Sequence, residues 1–201
     1  FTDQTGQRRI NSQYASFSTA ITQAPYTYLI RALKHAGNGK FFDVVERVGL
    51  DNLTKERQLI RQTRSSFEED KDLLPLTFAG LLMEGGVVGY ETNIKSGGLG
   101  ARYLGIGSTK EYRVDTVTVS LRTVSVSKGT VLTEVLTTKS ILSVGLSQDV
   151  FRFISDGTEL IEIENGMVEN ESVNIALQNA IETALLETIK LGIEQRYWSL
   201  K

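Results

Sequence analysis

The stretch Tyr112–Val126, "YRVDTVTVSLRTVSV", decides the fold. Val117, Val119 and Leu121 fall on one face of an extended chain, and Thr116, Thr118, Ser120 and Arg122 fall on the other. A period of two held over this length is the mark of a strand with one apolar and one polar face. Immediately beyond it, Ser127-Lys128-Gly129-Thr130 supplies the positive φ that a tight hairpin needs. "TVLTEVLTTKSILSVGLS" (130–147) then resumes the alternation, with Leu142, Val144 and Leu146 set against Ser143, Gly145 and Ser147. A second reversal is expected at Ser155-Asp156-Gly157-Thr158, because Asp-Gly favours a two-residue turn. The return strand "ELIEIENGMV" (159–168) points Ile161 and Ile163 one way and Glu162 and Glu164 the other. Upstream, "MEGGVVGYETN" (83–93) reads as a strand whose glycines mark bulges.

Helical periods flank this β-rich half. Ser18 is expected to cap a helix running to about Ala36, with Ala20, Ala24, Tyr28, Ile30 and Leu33 on its apolar face, and Gly37-Asn38-Gly39 ends it. "FFDVVERV" (41–48) reads as a short strand, and Asp51 as the cap of a second helix through "NLTKERQLIRQTRSS". In that helix Leu53, Leu59 and Ile60 are placed on one side, with Lys55, Arg57, Arg61 and Arg64 largely on the other as solvated surface. A short helix or turn is expected near Leu76–Leu82. After Asn170 a helix of about 25 residues shows a stripe of Val173, Leu177, Ala180, Ile181, Ala184, Leu185, Ile189 and Gly192. Packed on the sheet together with the first helix, it makes an α+β chain: a compact α/β domain that carries two long hairpins.

Composition removes whole classes of function. A net charge of -2 over 201 residues supplies no basic field for nucleic acid. The absence of Cys excludes disulfides, thiolate metal sites and Cys nucleophiles, and His35, beside the helix stop, is better placed to complement a helix dipole than to catalyse. No apolar run is long enough for a membrane helix, although β-strands that cross a membrane need only about 10 residues of alternating polarity. The glycine-rich "GGLGARYLGIGSTK" (97–110) invites a phosphate-loop reading that its spacing defeats. Tyr103 stands where a dinucleotide fingerprint needs its last glycine, and Ile106-Gly107 follow Gly105 where a P-loop needs Lys and Ser or Thr. Glu162 and Glu164 share a strand face but have no second group beside them, so they read as solvated carboxylates. No catalytic constellation and no cofactor site emerges, and the chain reads as not an enzyme.

A resemblance lies in the same region. "GYETNIKSGGLGARYLGIGSTKEYRVD" (89–115), "KSIL" with "VFRFI" (139–154) and "AIET" (180–183) resemble the CsgG family, the outer-membrane lipoproteins that form the curli secretion channel. "DQTGQ" at Asp3, "FSTA" at Phe17, "GLDNLTKER" at Gly49 and "YW" near the C-terminus extend the likeness in order along the chain. The resemblance implies a periplasmic α/β domain emitting two β-hairpins per subunit, which join those of the other subunits in one transmembrane barrel. With four strands each, about nine subunits reach roughly 36 strands, the top of the known range. It implies a domain over residues 1–94, a first membrane hairpin at 95–119 with its tip near Gly105–Lys110, periplasmic strands at 120–138, a second membrane hairpin at 139–168, and a periplasmic helix at 169–201. Alternating apolar residues would face lipid, and Thr116, Thr118, Glu162 and Glu164 the aqueous lumen.

The family also has a constriction loop, here residues 8–17, whose Tyr, Asn and Phe line the narrowest ring. Phe17 matches the Phe, and Ser16 stands at the Asn. The Tyr position falls on Ser12 or Gln13, because "RRINSQYASF" has one residue more than the family pattern, with Tyr14 as the aromatic that can take over. On residue pattern alone, Phe17 reads first as an apolar staple to the helix it precedes, a preference that the resemblance reverses. The implied partners are further copies of the chain, secreted curli-like subunits, the periplasmic capping and surface nucleator accessory proteins of the curli system, and outer-membrane lipid. An N-terminal lipid anchor is an expectation of the same resemblance. The alternative from the residues is a soluble periplasmic interaction module without a pore.

Overall fold

The alternating strand becomes the centre of a five-stranded sheet in the computed structural model, which describes residues 1–7, 21–67, 73–97, 110–146, 150–155 and 171–199. The elements are β1 (Thr2–Asp3), α1 (Tyr26–Gly39), α2 (Leu50–Ser66), β2 (Leu81–Gly97), β3 (Lys110–Ser125), β4 (Val131–Leu146), β5 (Val150–Ser155) and α3 (Glu171–Glu194). The strands lie in chain order. β1 pairs parallel with β2 at Gly86 and Val87, and every other pair is antiparallel. Helix α3 packs on β3 and β4, and α1 packs on α3.

The core follows the period. Val117, Val119 and Leu121 are fully buried against Ala176, Leu177, Ala180, Ile181, Ala184 and Leu185 of α3. Truncating Leu177 or Ile181 to Ala in such a layer costs about 2–5 kcal/mol. Because α3 covers Val117 and Val119, these two cannot face lipid as the resemblance suggested. The β3–β4 turn forms where expected: Gly129 adopts φ +65° and donates its N–H to Ser125 O at 2.8 Å. The glycine-marked bulge in β2 is also present, as a register shift between Val87 and Gly89.

Elsewhere local patterns yield to geometry. Helix α1 starts at Tyr26 behind Pro25, whereas Ser18 lies outside the described residues. A proline lacks the N–H that a helix interior needs and has the φ that a first turn needs, so the helical period does not extend back through Ala24. The stop is as expected, with Gly37, Asn38 and Gly39 at positive φ. Residues 41–48 join no strand. Their β-branched and aromatic side chains pack instead, with Phe42 against the core and edge-on to Phe41 at 4.6 Å, since β-propensity reports a half-buried surface and does not itself supply a hydrogen-bonding partner.

Helix α2 is capped at Gly49, and Asp51 sits inside its first turn. Glu46 Oε1 accepts the Gly49 N–H at 2.8 Å, and this bond above all holds the Glu46 carboxyl below its ordinary range. The half-buried side of α2 carries Leu53 together with Arg57 and Arg64, while Leu59 is exposed on the far side, so the sorting of apolar and basic residues expected there does not hold. Residues 73–79 take no regular secondary structure, so the short helix or turn expected near Leu76–Leu82 does not form there.

The second hairpin also reverses elsewhere. Leu146 pairs with Val150 and Ile141 with Ser155, so the chain turns between 146 and 150 and not at Ser155–Thr158. "VFRFI" thereby enters the ladder opposite "ILSVG", and a three-residue connection is an ordinary hairpin length. Lys110 lies in β3, paired with Gly97, and so belongs to the strand below the first tip.

Candidate functional site

The sheet divides at the row Thr92–Asp115–Ile141–Ser155, where four strands are in register. On one side of this row lie the positions that α3 buries: Val117, Val119, Leu121 and Thr123 of β3, and Val135 and Thr137 of β4. On the other side the ladder continues through Gly97↔Lys110, Glu111↔Gly145 and Leu146↔Val150. The boundary row holds a polar cluster. Asp115 is fully buried, and its Oδ1 accepts the Thr92 hydroxyl at 2.7 Å and the Tyr90 hydroxyl at 3.3 Å, with the two hydroxyls 2.8 Å apart. A carboxylate removed from water needs such donors to offset its lost hydration. The reading of the sequence missed this cluster, although a signal was there: Asp115 is in phase with Val117, Val119 and Leu121 on the apolar face.

The opposite face of the sheet is lined with hydroxyls. Thr116 Oγ1 lies 2.9 Å from Ser140 Oγ, and Thr118 Oγ1 lies 3.0 Å from Thr138 Oγ1, two cross-strand pairs on the side away from α3. Farther along the same face, Arg122 donates to Glu84 at 2.7 Å. Exposed polar ladders of this type hold register while remaining wettable. The structure thus brings Thr116 and Thr118 together. Glu162 and Glu164, and the constriction candidates Ser12, Gln13, Tyr14, Ser16 and Phe17, lie outside the described residues. Among the described residues no helix is long and apolar enough to cross a membrane, a criterion that does not address strands.

The ladder has two edges of opposite direction. Among the described residues β2 is paired to β1 only at Gly86 and Val87, which leaves its outer length from Gly89 to Gly97 as one edge and β5 as the other. Four antiparallel strands from β2 to β5 leave these edges running opposite ways. Joining β5 of one copy to β2 of another therefore continues an antiparallel sheet.

The family model described as "Curli production assembly/transport component CsgG" matches residues 1–201. Proteins of that name from Escherichia coli strain K12, Salmonella typhimurium strain LT2 and Citrobacter koseri are 41% identical to this chain over 203 residues. Each match covers 99% of this chain and 72% of the relative. A family match over the whole chain and this identity to its named members show that the chain belongs to the CsgG family of curli production assembly/transport components.

Proposed function

We propose that this chain is one subunit of an oligomeric outer-membrane channel through which unfolded curli-like subunits leave the cell by diffusion, without nucleotide. The observation that carries this reading is the ladder that continues past its helix-covered half and ends in two unequally directed edges. Edges left open would invite uncontrolled pairing, and in lipid they would expose unsatisfied backbone groups, so ring closure resolves both. Nine copies of four strands would make a barrel of roughly 36 strands.

On this reading the membrane-facing part begins outside the Asp115 row. Thr92 to Gly97 contributes six residues, about 20 Å of strand, and a membrane strand needs about 9–11 residues. Part of 98–109 would complete the span, so the glycines of "GGLGARYLGIGSTK" belong to barrel strand and tip. Thr116 and Thr118 would line the water-filled lumen on its periplasmic side. Glu162 and Glu164 would face water as well, because a carboxylate toward lipid is penalised. Phe17, with Ser16, Gln13, Ser12 and Tyr14 near it in the chain, would form the narrow ring. There width and wetting would set what passes. The helical domain would stand in the periplasm, with a lipid anchor and the capping and nucleator accessory proteins of the curli system as partners.

Native mass and negative-stain imaging of detergent-extracted protein test the ring, and single-channel recording tests the pore. Rings that conduct, with conductance rising severalfold in Phe17→Ala, are expected. A monomer that stays soluble without detergent and forms no ring would overturn the channel in favour of a periplasmic interaction module. An unchanged current in Phe17→Ala would remove Phe17 from the constriction.

A further inference from the structure

Residues 1–7 and 21–25 are the described stems on either side of segment 8–20, and the side chain of Asp3 reaches both. The outgoing stem follows the sheet edge only briefly. β1 pairs at Gly86 and Val87, and the Gln4 N–H donates once more, to Val87 O at 3.0 Å. Asp3 then ends the strand: its Oδ1 accepts the Thr5 N–H at 2.9 Å and the Thr5 hydroxyl at 2.7 Å, an Asx turn that offers the backbone an alternative to further pairing. Gly6 follows at φ +62°, which turns the chain again.

The incoming stem is seated from the other side. Ile21 is 1% exposed and Pro25 is fully buried, so the chain is anchored in the core before α1 begins. The Thr22 hydroxyl accepts the Ala24 N–H at 3.2 Å and shapes the approach to the helix. Between these anchors Gln23 is exposed, and its Nε2 donates to Asp3 Oδ2 and to Ile21 O, each at 3.4 Å. The bond to Asp3 spans twenty residues of sequence. One carboxylate oxygen thus serves each stem, and bonds to an ionised acceptor are about twice as strong as neutral ones. A bond within one stem shapes a turn, whereas a bond between stems fixes how far apart the intervening segment begins and ends.

We propose that Asp3 is a positioning residue for the constriction: it sets the separation of the two stems that carry segment 8–20, and Phe17 with it. This rests on the channel reading, in which Phe17 lines the narrow ring. Asp3 acts through the stems and touches nothing that passes. A site whose supporting groups are left loose wanders by about 1 Å. In a narrow ring, where width and wetting set the current, such wandering is read as fluctuation of the current.

The test uses rings of the full chain in planar bilayers, with the fluctuation of the open-channel current as the readout and ring fraction followed by native mass. Asp3→Ala is expected to raise the current variance roughly threefold at an unchanged ring fraction. Asp3→Asn, which keeps an acceptor for Thr5 and offers an amide to Gln23 Oε1, should recover most of the difference. Gln23→Ala, at an exposed position, removes the bond between the stems and leaves the Asx turn in place, so it should reproduce the effect of Asp3→Ala even if that variant assembles poorly. In a Phe17→Ala background neither substitution should add variance, because the side chain they position is gone. Wild-type variance in Gln23→Ala, in rings whose conductance does rise on Phe17→Ala, would overturn the clamp and leave the constriction standing. Equal added variance with and without Phe17 would also overturn it. An unchanged current in Phe17→Ala would overturn the constriction and the clamp together.

Discussion

Replacing Gly192 by Ala should destabilise the protein, although the same change in most helices stabilises it. A Cβ at this position in α3 would overlap Cζ2, Cε2 and Cη2 of Trp198, whose ring lies flat against the helix. The ring is held by its indole N–H, which donates to Ile189 O at 3.1 Å, and by the helix end, where Tyr197 N–H donates to Gly192 O at 2.8 Å. Gaining a methyl in a helix contributes about 1 kcal/mol over glycine. Displacing the ring forfeits its hydrogen bond, about 1 kcal/mol, and its burial, about 1.5–3 kcal/mol. The balance is a net loss of about 1.5–3 kcal/mol, read from urea unfolding. Trp198 is the only tryptophan, so its emission reports the displacement directly as a red shift. In a Trp198→Ala background the sign should invert, with Gly192→Ala gaining about 1 kcal/mol. Unshifted emission together with equal or higher stability in the wild-type background would refute the reasoning.

Asp115→Ala should cost about 2–4 kcal/mol by stranding the Tyr90 and Thr92 hydroxyls, and Asp115→Asn, which keeps an acceptor, should recover at least half; equal stability of Ala and wild type in denaturant titrations would contradict this. Gly86→Ala would put a Cβ 2.5 Å from Thr2 O, so β1 should detach and the Gln4 amide, bonded to Val87 O, should exchange at least about tenfold faster while β2–β3 stays protected; wild-type protection of Gln4 would count against it. Thr133 and its cross-strand partner Thr123 bury hydroxyls that have no hydrogen-bond partner among the described residues, so either Thr→Val swap should raise stability by about 1 kcal/mol, and a comparable loss would disprove the account.

What could be read in advance was whatever one element decides alone. The Gly129 turn, the two faces of 112–126 and the stripe of α3 are set by local φ and by a period that repeats many times. The β5 reversal was missed because Asp156-Gly157 is a good local turn, whereas the ladder is decided by which segments pair, and pairing "VFRFI" with "ILSVG" places the reversal earlier. Likewise 41–48 has strand composition but pairs with no strand among the described residues, and Pro25 outweighs the helical period on its N-terminal side. Asp115 was visible only as an anomaly, a charge in phase with an apolar face, whose meaning needed Tyr90 and Thr92 brought across from β2. The constriction candidates were never legible from periodicity, and only the family likeness singles them out.

β3 and β4 are sixteen residues each, about 50 Å of paired backbone, and their shared ladder crosses the Asp115 row without interruption. The two irregularities in the sheet, at Val87/Gly89 and Thr123/Val124, both fall in the half that α3 covers. Outward from Thr118 the pair behaves as a stiff beam gripped at one end by the helix. A rocking of about 10° at the gripped end would sweep Lys110, about 26 Å away along the strand, by about 5 Å. The protein is thus geared: small adjustments among the helices become large displacements at the strand tips, with no hinge in between to absorb them.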